Sequence, residues 1–125
     1  MTRVLVVEDE FGIAELLDAV LTEEGYQVVT AMNGRNGLEL LARERPELIL
    51  SDYMMPVMDG ATLLARIKAE PALQAIPVVM MSSMPEAAVA ERCVGYAAFL
   101  RKPFKLFEVV GLVERLIGNA SGDKS

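Results

Sequence analysis

The sequence predicts an α/β fold of the (βα)5 type, a doubly wound arrangement in which five parallel strands alternate with five helices. Short apolar runs of strand length alternate with longer segments whose apolar residues recur at helical spacing, from Arg3 to Ile117. Alternation of this kind places helices on both faces of a parallel sheet. With 125 residues, 53% of them hydrophobic and 24% charged, the chain suits one domain with a single core.

Each predicted strand is a short apolar run bounded by turn or loop residues. The first begins close to Met1, and the central one is followed by Asp52 and a loop that contains Pro56 and Gly60. The predicted strands cover residues 3–7, 27–31, 48–51, 77–81 and 97–100.

The predicted helices lie between these strands and end at recognisable stop signals. Gly25 ends the first helix, and the second ends before Pro46, since a residue before proline disfavours helix. Gly34 and Gly37 make the second helix weaker than average. The apolar residues of the first helix that should face inward are Ile13, Leu16, Leu17, Val20 and Leu21. The predicted helices cover residues 11–24, 34–45, 61–70, 85–94 and 105–117.

Composition and charge exclude several classes of function. The formal net charge is −6 without a Lys/Arg-rich stripe, so direct nucleic-acid binding is not expected. The chain has no histidine and one cysteine, Cys93, which excludes a Ser-His-Asp triad, an internal disulfide and structural zinc. No apolar run is long enough for a membrane span, and the short segment before Arg3 leaves no room for a signal peptide. We therefore expect a cytoplasmic protein, with one domain over residues 1–119 and a flexible tail over residues 120–125.

Polar side chains able to carry out chemistry follow four of the predicted strands. Glu8-Asp9, Asp52, Ser82-Ser83 and Lys102-Pro103 come at or just after strand ends. The carboxyl ends of parallel strands meet at one edge of a sheet, where open α/β folds bind ligands. An acid after a strand also serves as a helix N-cap, so each piece alone is weak, and the joint pattern carries the prediction. The carboxylates favour a hard cation such as Mg²⁺.

These motifs resemble those of response-regulator receiver domains, the phosphoacceptor modules of two-component signalling that include the chemotaxis regulator. The resemblance covers residues 3–117, and it implies a flavodoxin-like sheet of strand order 2-1-3-4-5. The motifs that carry it are Val6-Val7-Glu8-Asp9, Leu50-Ser51-Asp52-Tyr53-Met54-Met55-Pro56-Val57-Met58-Asp59-Gly60, Met80-Met81-Ser82-Ser83 and Phe99-Leu100-Arg101-Lys102-Pro103-Phe104.

The resemblance implies a phosphoacceptor and a metal site. Asp52 corresponds to the aspartate that accepts the phosphoryl group. Asp9, Asp52 and the backbone carbonyl of Met54 correspond to the direct ligands of Mg²⁺, with Glu8 acting through water. Mn²⁺ is expected to substitute for Mg²⁺.

The resemblance also implies residues that sense the phosphoryl group. Lys102 corresponds to the lysine that pairs with the phosphoacceptor, and a cis peptide bond is expected before Pro103. Ser82 corresponds to the switch hydroxyl, with Ser83 beside it. Phe99 corresponds to the switch aromatic residue, with plain core packing as the alternative interpretation.

The expected partners follow from the same resemblance. A histidine kinase or a phosphotransfer protein would donate the phosphoryl group, and an unidentified target protein would read the switched surface. The chain would catalyse only its own phosphorylation and dephosphorylation. A monomer or weak dimer is expected, because the segment from Ser82 to Phe99 leaves room for only a short fourth helix on the face that the family uses for dimers.

Other interpretations and one further prediction accompany this hypothesis. The chain could be the receiver fragment of a hybrid kinase or of a longer regulator. A Mg²⁺-dependent aspartyl phosphatase needs a second acid two residues after Asp52, where Met54 stands, and a flavin carrier needs a phosphate-binding loop where Glu8-Asp9 stand. In receivers, the residues at Met54 and Met84 flank the water that hydrolyses the acyl phosphate, so two methionines there predict slow self-dephosphorylation.

Overall fold

The computed structural model describes residues 2–118, which form five strands and five helices in strict alternation. The strands are β1 (Arg3–Val7), β2 (Gln27–Ala31), β3 (Leu48–Asp52), β4 (Val78–Ser82) and β5 (Ala98–Arg101). The helices are α1 (Phe11–Glu23), α2 (Gly34–Leu41), α3 (Gly60–Ala69), α4 (Glu86–Ala90) and α5 (Leu106–Ile117). The predicted tail, residues 120–125, lies outside the described residues, as does the predicted domain end at residue 119.

All five strands are parallel and stand in the order β2-β1-β3-β4-β5. Val7 of β1 pairs with Ser51 of β3, and Ser51 in turn pairs with Met80 of β4. The predicted fold class and strand order are therefore confirmed. The register brings the carboxyl ends of β1, β3, β4 and β5 side by side at one edge of the sheet.

Two apolar layers pack against the two faces of the sheet. Successive strand residues point to opposite faces, so Ile49 packs with α2, α3 and α4 while its neighbour Leu50 packs with α1 and α5. Leu63 and Val109 are buried members of the two layers, one on each face. This double burial explains why β3 and β4 contain no exposed residue.

Helix α2 is shorter than predicted, because it ends at Leu41 and not at residue 45. The N–H groups of Arg43 and Glu44 both donate to the carbonyl of Leu40, which tightens the last turn. The helix therefore ends several residues before Pro46, which was expected to end it. At the start of α2, the Asn33 side chain accepts a hydrogen bond from the N–H of Asn36.

Helix α4 has five residues, so the expected short helix is shorter still than the predicted range of 85–94. The N–H groups of Arg92 and Cys93 both donate to the carbonyl of Val89. Gly95 then has φ +97°, a conformation that turns the chain into β5 and that a residue with a Cβ rarely adopts. Cys93 is buried beyond the end of the helix.

The predicted inward face of α1 is wrong at Leu16, which is exposed. Five apolar residues make a stripe wider than the sheet can cover. Leu17 and Leu21 are buried against the sheet and Ala14 is buried as well, whereas Leu16 lies at the edge of the stripe.

No helix within residues 2–118 is both long enough and apolar enough to cross a membrane.

Candidate functional site

Three carboxylates converge where β1 and β3 end side by side. Glu8 and Asp9 directly follow β1, and Asp52 is the last residue of β3. Oxygen atoms of the three carboxylates all lie within 4.8 Å of one another. Glu8 is completely buried and Asp52 nearly so, whereas Asp9 is partly exposed. The sheet register therefore brings together acids that are more than 40 positions apart in the sequence.

Lys102 follows β5 and reaches across the sheet edge to these acids. Its Nζ lies 3.0 Å from Oε1 of Glu8 and 3.2 Å from Oδ1 of Asp52. Its own N–H donates to the carbonyl of Ser82, which fixes the start of the side chain beside β4. The peptide bond between Lys102 and Pro103 is cis. One ammonium group thus neutralises part of the charge of two buried carboxylates.

Burial and charge shift the pKa of both Asp52 and Lys102. Burial, and then the negative charge of Glu8, raise the pKa of Asp52 to about 6, while the charge of Lys102 opposes this shift. Burial by itself lowers the pKa of Lys102. Its hydrogen bond to Glu8 and the charges of Asp52 and Glu8 outweigh burial and raise that pKa above its usual value. The cluster therefore holds more negative charge than one lysine compensates.

The donor set fits a hard divalent cation. Asp9, Asp52 and Met54 line an open cavity of about 370 Å³ together with Ser82 and Lys102. Carboxylate oxygens in such a cluster are the ligands that Mg²⁺ prefers, and the uncompensated charge of the cluster favours a cation. The buried carboxylate of Glu8 is already bonded to Lys102, which agrees with an outer position relative to Asp9 and Asp52.

Ser82 and Ser83 are neighbours in the sequence, but they differ in burial and in hydrogen bonding. Ser82 is buried at the end of β4, and its Oγ accepts a hydrogen bond of 3.0 Å from the N–H of Met84. The hydroxyl proton of Ser82 thus remains available for donation. Ser83 is exposed, and its carbonyl accepts a hydrogen bond from Nε of Arg101. The structure brings both serines to the cavity wall.

Phe99 lies away from the acid cluster, in the middle of β5. It pairs with Met80 and is partly buried against the apolar layer that includes α3 and α4. Its other side borders a surface depression shared with Phe107 of α5. Phe99 therefore packs against the core and also borders the protein surface.

Sequence reasoning missed Glu10 and an apolar groove beside the acid cluster. Oε1 of Glu10 lies 3.9 Å from Nζ of Lys102, and Glu10 borders both the acid cavity and the groove. The groove has a volume of about 350 Å³. Its walls are almost entirely apolar and come from Ile13, Leu16, Pro103 and Phe104. The signals were present in the overly wide apolar stripe of α1 and in the phenylalanine after Lys102-Pro103.

Known proteins similar to this chain are bacterial signalling proteins. Residues 4–114 match the model of the response regulator receiver domain. The chain is 33% identical over 117 residues to sporulation initiation phosphotransferase F of Bacillus subtilis, covering 92% of this chain and 93% of that protein. It is 45% identical over 82 residues to response regulator PleD of Caulobacter vibrioides, which is 66% of this chain but only 18% of PleD. It is 43% identical over 102 residues to the transcriptional regulatory protein GlrR of Escherichia coli, covering 81% of this chain and 23% of GlrR. The chain therefore spans only about a fifth of the length of these two longer relatives.

Similar solved structures are receiver domains as well. The signal receiver domain of a histidine kinase from Syntrophus aciditrophicus is 36% identical, with a TM-score of 0.87, covering 100% of this chain and 96% of that one. A receiver domain of a Pseudomonas aeruginosa sensor histidine kinase, solved with a magnesium ion coordinated in its active-site cleft, is 28% identical with a TM-score of 0.87, covering 94% and 98%. Thermotoga maritima TrrA, in complex with Mg²⁺ and beryllofluoride, is 28% identical with a TM-score of 0.83, covering 93% and 99%. With this fold and this acid cluster, the chain belongs to the family of response regulator receiver domains of two-component systems.

Proposed function

We propose that the protein accepts a phosphoryl group on Asp52, with Mg²⁺ bound beside it, and thereby switches a surface that docks on another protein. The observation that carries this proposal is the convergence of a nearly buried aspartate, a lysine 3.2 Å away and a serine hydroxyl on one open cavity. The family to which the chain belongs supports the same chemistry.

In this proposal, each residue of the cavity has a separate role in phosphorylation. Asp52 attacks phosphorus through a carboxylate oxygen, and the leaving group departs on the opposite side. Asp9, Asp52 and the carbonyl of Met54 would hold Mg²⁺, with Glu8 acting through water, and Mn²⁺ suits the same oxygen ligands. Bound Mg²⁺ would supply positive charge toward the phosphoryl oxygens. Lys102, already placed beside Asp52, exchanges part of its carboxylate contacts for the new phosphoryl oxygens.

Switching would begin at the loop after β4. Ser82 now accepts a hydrogen bond from the N–H of Met84 and has a proton to donate to a phosphoryl oxygen. Movement of Ser82 would displace the carbonyl of Ser83, which Arg101 holds at 2.9 Å. The half-buried ring of Phe99 would then repack between β5 and α4. The surface around α4, β5 and α5 is the docking surface that this sequence of contacts changes.

The donor would be a histidine kinase or a phosphotransfer protein of the cytoplasm. One relative bears the name of a phosphotransferase, and two longer relatives bear the names of regulators. The target that reads the switched surface is therefore either a separate protein or a further domain of a longer protein. The protein acts only on its own aspartyl phosphate. A phosphatase acting on external esters is not supported, because the thioether of Met54 stands where that chemistry needs a second acid.

The test is phosphorylation by acetyl phosphate, followed by intact mass spectrometry. Wild type should gain the mass of one phosphoryl group in Mg²⁺ and none in EDTA, and Asp52→Asn should gain none. Asp59→Asn is the matched control, since Asp59 caps α3 through Thr62 and asparagine caps as well. Equal labelling of Asp52→Asn and wild type would refute the site.

A further inference from the structure

The seven methionines that the structure describes fall into a protected group and an exposed group. Met80 and Met81 are completely buried in β4, and Met55 and Met58 are partly buried. The exposed group follows the ends of three parallel strands, at the edge of the sheet that carries the acid cluster. Its members are Met32 after β2 (50% exposed), Met54 after β3 (64%) and Met84 after β4 (36%).

Met54 is the exposed methionine that also lines the acid cavity. It lies two residues after Asp52, and it lines the cavity together with Asp9 and Lys102. Asp52 is only 6% exposed, so reagents and water reach its carboxylate through this cavity. Met54 is therefore both open to small oxidants and part of the cavity in which an acyl phosphate would form.

Oxidation of a thioether to a sulfoxide changes this part of the cavity wall from apolar to polar. The thioether is apolar and a weak hydrogen-bond acceptor, so it does not orient water. The sulfoxide is polar and carries an oxygen that accepts hydrogen bonds. Hydrolysis of an acyl phosphate needs a water aligned with phosphorus, and an acceptor on the cavity wall would hold such a water.

We propose that Met54 is an oxidation-sensitive site at which a peroxide shortens the lifetime of the phosphorylated protein. The sulfur of Met54 attacks one oxygen of hydrogen peroxide, the O–O bond breaks as the S–O bond forms, and the second oxygen leaves as water. Sulfur loses two electrons and the peroxide gains them. Methionine sulfoxide reductases reverse the step. This inference rests on the proposed phosphorylation of Asp52.

The other two exposed methionines, Met84 and Met32, provide comparisons for the effect of oxidation at Met54. Met84 donates its backbone N–H to Ser82, but its side chain is less exposed than that of Met54. Met32 is nearly as exposed as Met54 and follows β2, on the outer side of β1 from the cluster. Oxidation of Met32 should therefore leave the lifetime unchanged, which makes Met32→Leu the matched control for Met54→Leu.

The experiment uses the full chain, treated with hydrogen peroxide and freed of it, and then phosphorylated by acetyl phosphate with Mg²⁺. Peptide mass spectrometry should find sulfoxide at residues 32, 54 and 84 before residues 80 and 81. The decay of the phosphorylated mass should become roughly threefold faster or more in treated wild type and Met32→Leu, since a positioned acceptor contributes at least this much. Treated Met54→Leu should decay as untreated Met54→Leu does, and sulfoxide reductases should restore the decay rate of oxidised wild type. That restoration also separates Met54 from irreversible oxidation at Cys93.

Each outcome separates this inference from the proposed function. A labelled protein whose decay is unaffected by sulfoxide at Met54, or whose Met54→Leu variant still responds to peroxide, would overturn the inference alone. Failure of untreated protein to label at Asp52 would overturn the proposed function, and the effect on lifetime with it. Equal oxidation of the buried and the exposed methionines would contradict the accessibility on which the inference stands.

Discussion

Val57 has a backbone conformation that its side chain disfavours. It has φ +69°, and it is the only residue other than glycine with a positive φ in the described part of the chain. The N–H of Met58 donates to the carbonyl of Pro56 at 2.7 Å, so the three residues form a tight γ-turn. Val57 is 71% exposed, so packing does not repay the cost of this conformation for a β-branched side chain.

We expect Val57→Gly to stabilise the protein by about 0.5–1 kcal/mol, because relief of the positive φ exceeds the entropy that glycine adds to the unfolded chain. Urea denaturation measures the free energy of unfolding. Val94→Gly is the control, since Val94 is also exposed but does not have a positive φ, and it should destabilise. Destabilisation by both substitutions would show that Val57 stores no strain.

Lys102 should matter more for switching than for metal binding. Its ammonium lies between Glu8 and Asp52, so Lys102→Ala removes a cation that competes with Mg²⁺ for the same carboxylates. Isothermal titration calorimetry should show Mg²⁺ binding at least as tight as in wild type. The amide NMR spectrum of the variant should change little on phosphorylation, because no ammonium follows the phosphoryl oxygens. Lys105→Ala, on the exposed side of the same loop, should behave as wild type, and a full wild-type spectral change in Lys102→Ala would refute the role.

Met54 and Met84 should make self-dephosphorylation slow. An amide and a carboxylate in their place would orient the attacking water, so Met54→Asn with Met84→Glu should speed the decay of the phosphorylated mass several-fold. Most of the effect should come from Met54, because Met54 lines the acid cavity. Met32→Asn is the control. If the double variant decays no faster than wild type, the two methionines do not set the lifetime.

At the scale of elements, we expect α1 and the loop after β5 to bind the proposed protein donor. The groove between them is apolar, shares Glu10 and Lys102 with the acid cluster, and leaves Leu16 exposed. Residues 4–34 contain no lysine or arginine, so the charged side chains of α1 itself are all acidic. A donor with an apolar projection and basic surroundings complements this surface.

Leu16→Glu should therefore slow phosphotransfer from a histidine kinase or phosphotransfer protein by about tenfold or more, which corresponds to burial of one leucine side chain. Phosphorylation by acetyl phosphate should be unchanged, because the acid cavity is intact. Ala19→Glu adds the same charge to an exposed position of α1 outside the groove and should have a smaller effect. Loss of phosphorylation with both donors would mean that Leu16→Glu damages the fold and not the docking surface.

At the scale of the whole molecule, the acid cluster makes stability depend on pH in the metal-free protein. The pKa of Asp52 is about 6 in the folded protein, above its value of 3.8 in an unfolded chain, so folding favours the protonated form. This contribution is complete below pH 4 and is lost as the pH rises through 6.

Asp52→Asn should therefore raise the free energy of unfolding by about 1–3 kcal/mol at pH 7.5 in EDTA, and the gain should shrink toward zero near pH 4. Denaturation with urea across this range measures it, and Mg²⁺ at pH 7.5 should stabilise wild type more than the variant. A gain that is the same at pH 4 and pH 7.5 would contradict a raised pKa at Asp52.

The sequence by itself determined the strands, the fold class and the clustering of the acids. Apolar runs such as Leu48-Ile49-Leu50 are local signals, and a parallel sheet brings the residues after Val7 and Leu50 to one edge whatever the details of packing. The strand order and the roles of the site residues came from resemblance to a family, since no local pattern specifies which strands become neighbours.

The tertiary structure alone decided which apolar side chains stay outside, how the charges pair and where α2 and α4 end. Leu16 fits the helical stripe of α1, but only the width of the sheet determines that it lies beyond the covered area. Nζ of Lys102 lies about as close to Glu8 as it does to Asp52, because the strand register places both carboxylates within its reach. Helical period and strand length are properties of a segment, whereas exposure, ion pairing and groove shape depend on surfaces that meet only after the sheet has formed.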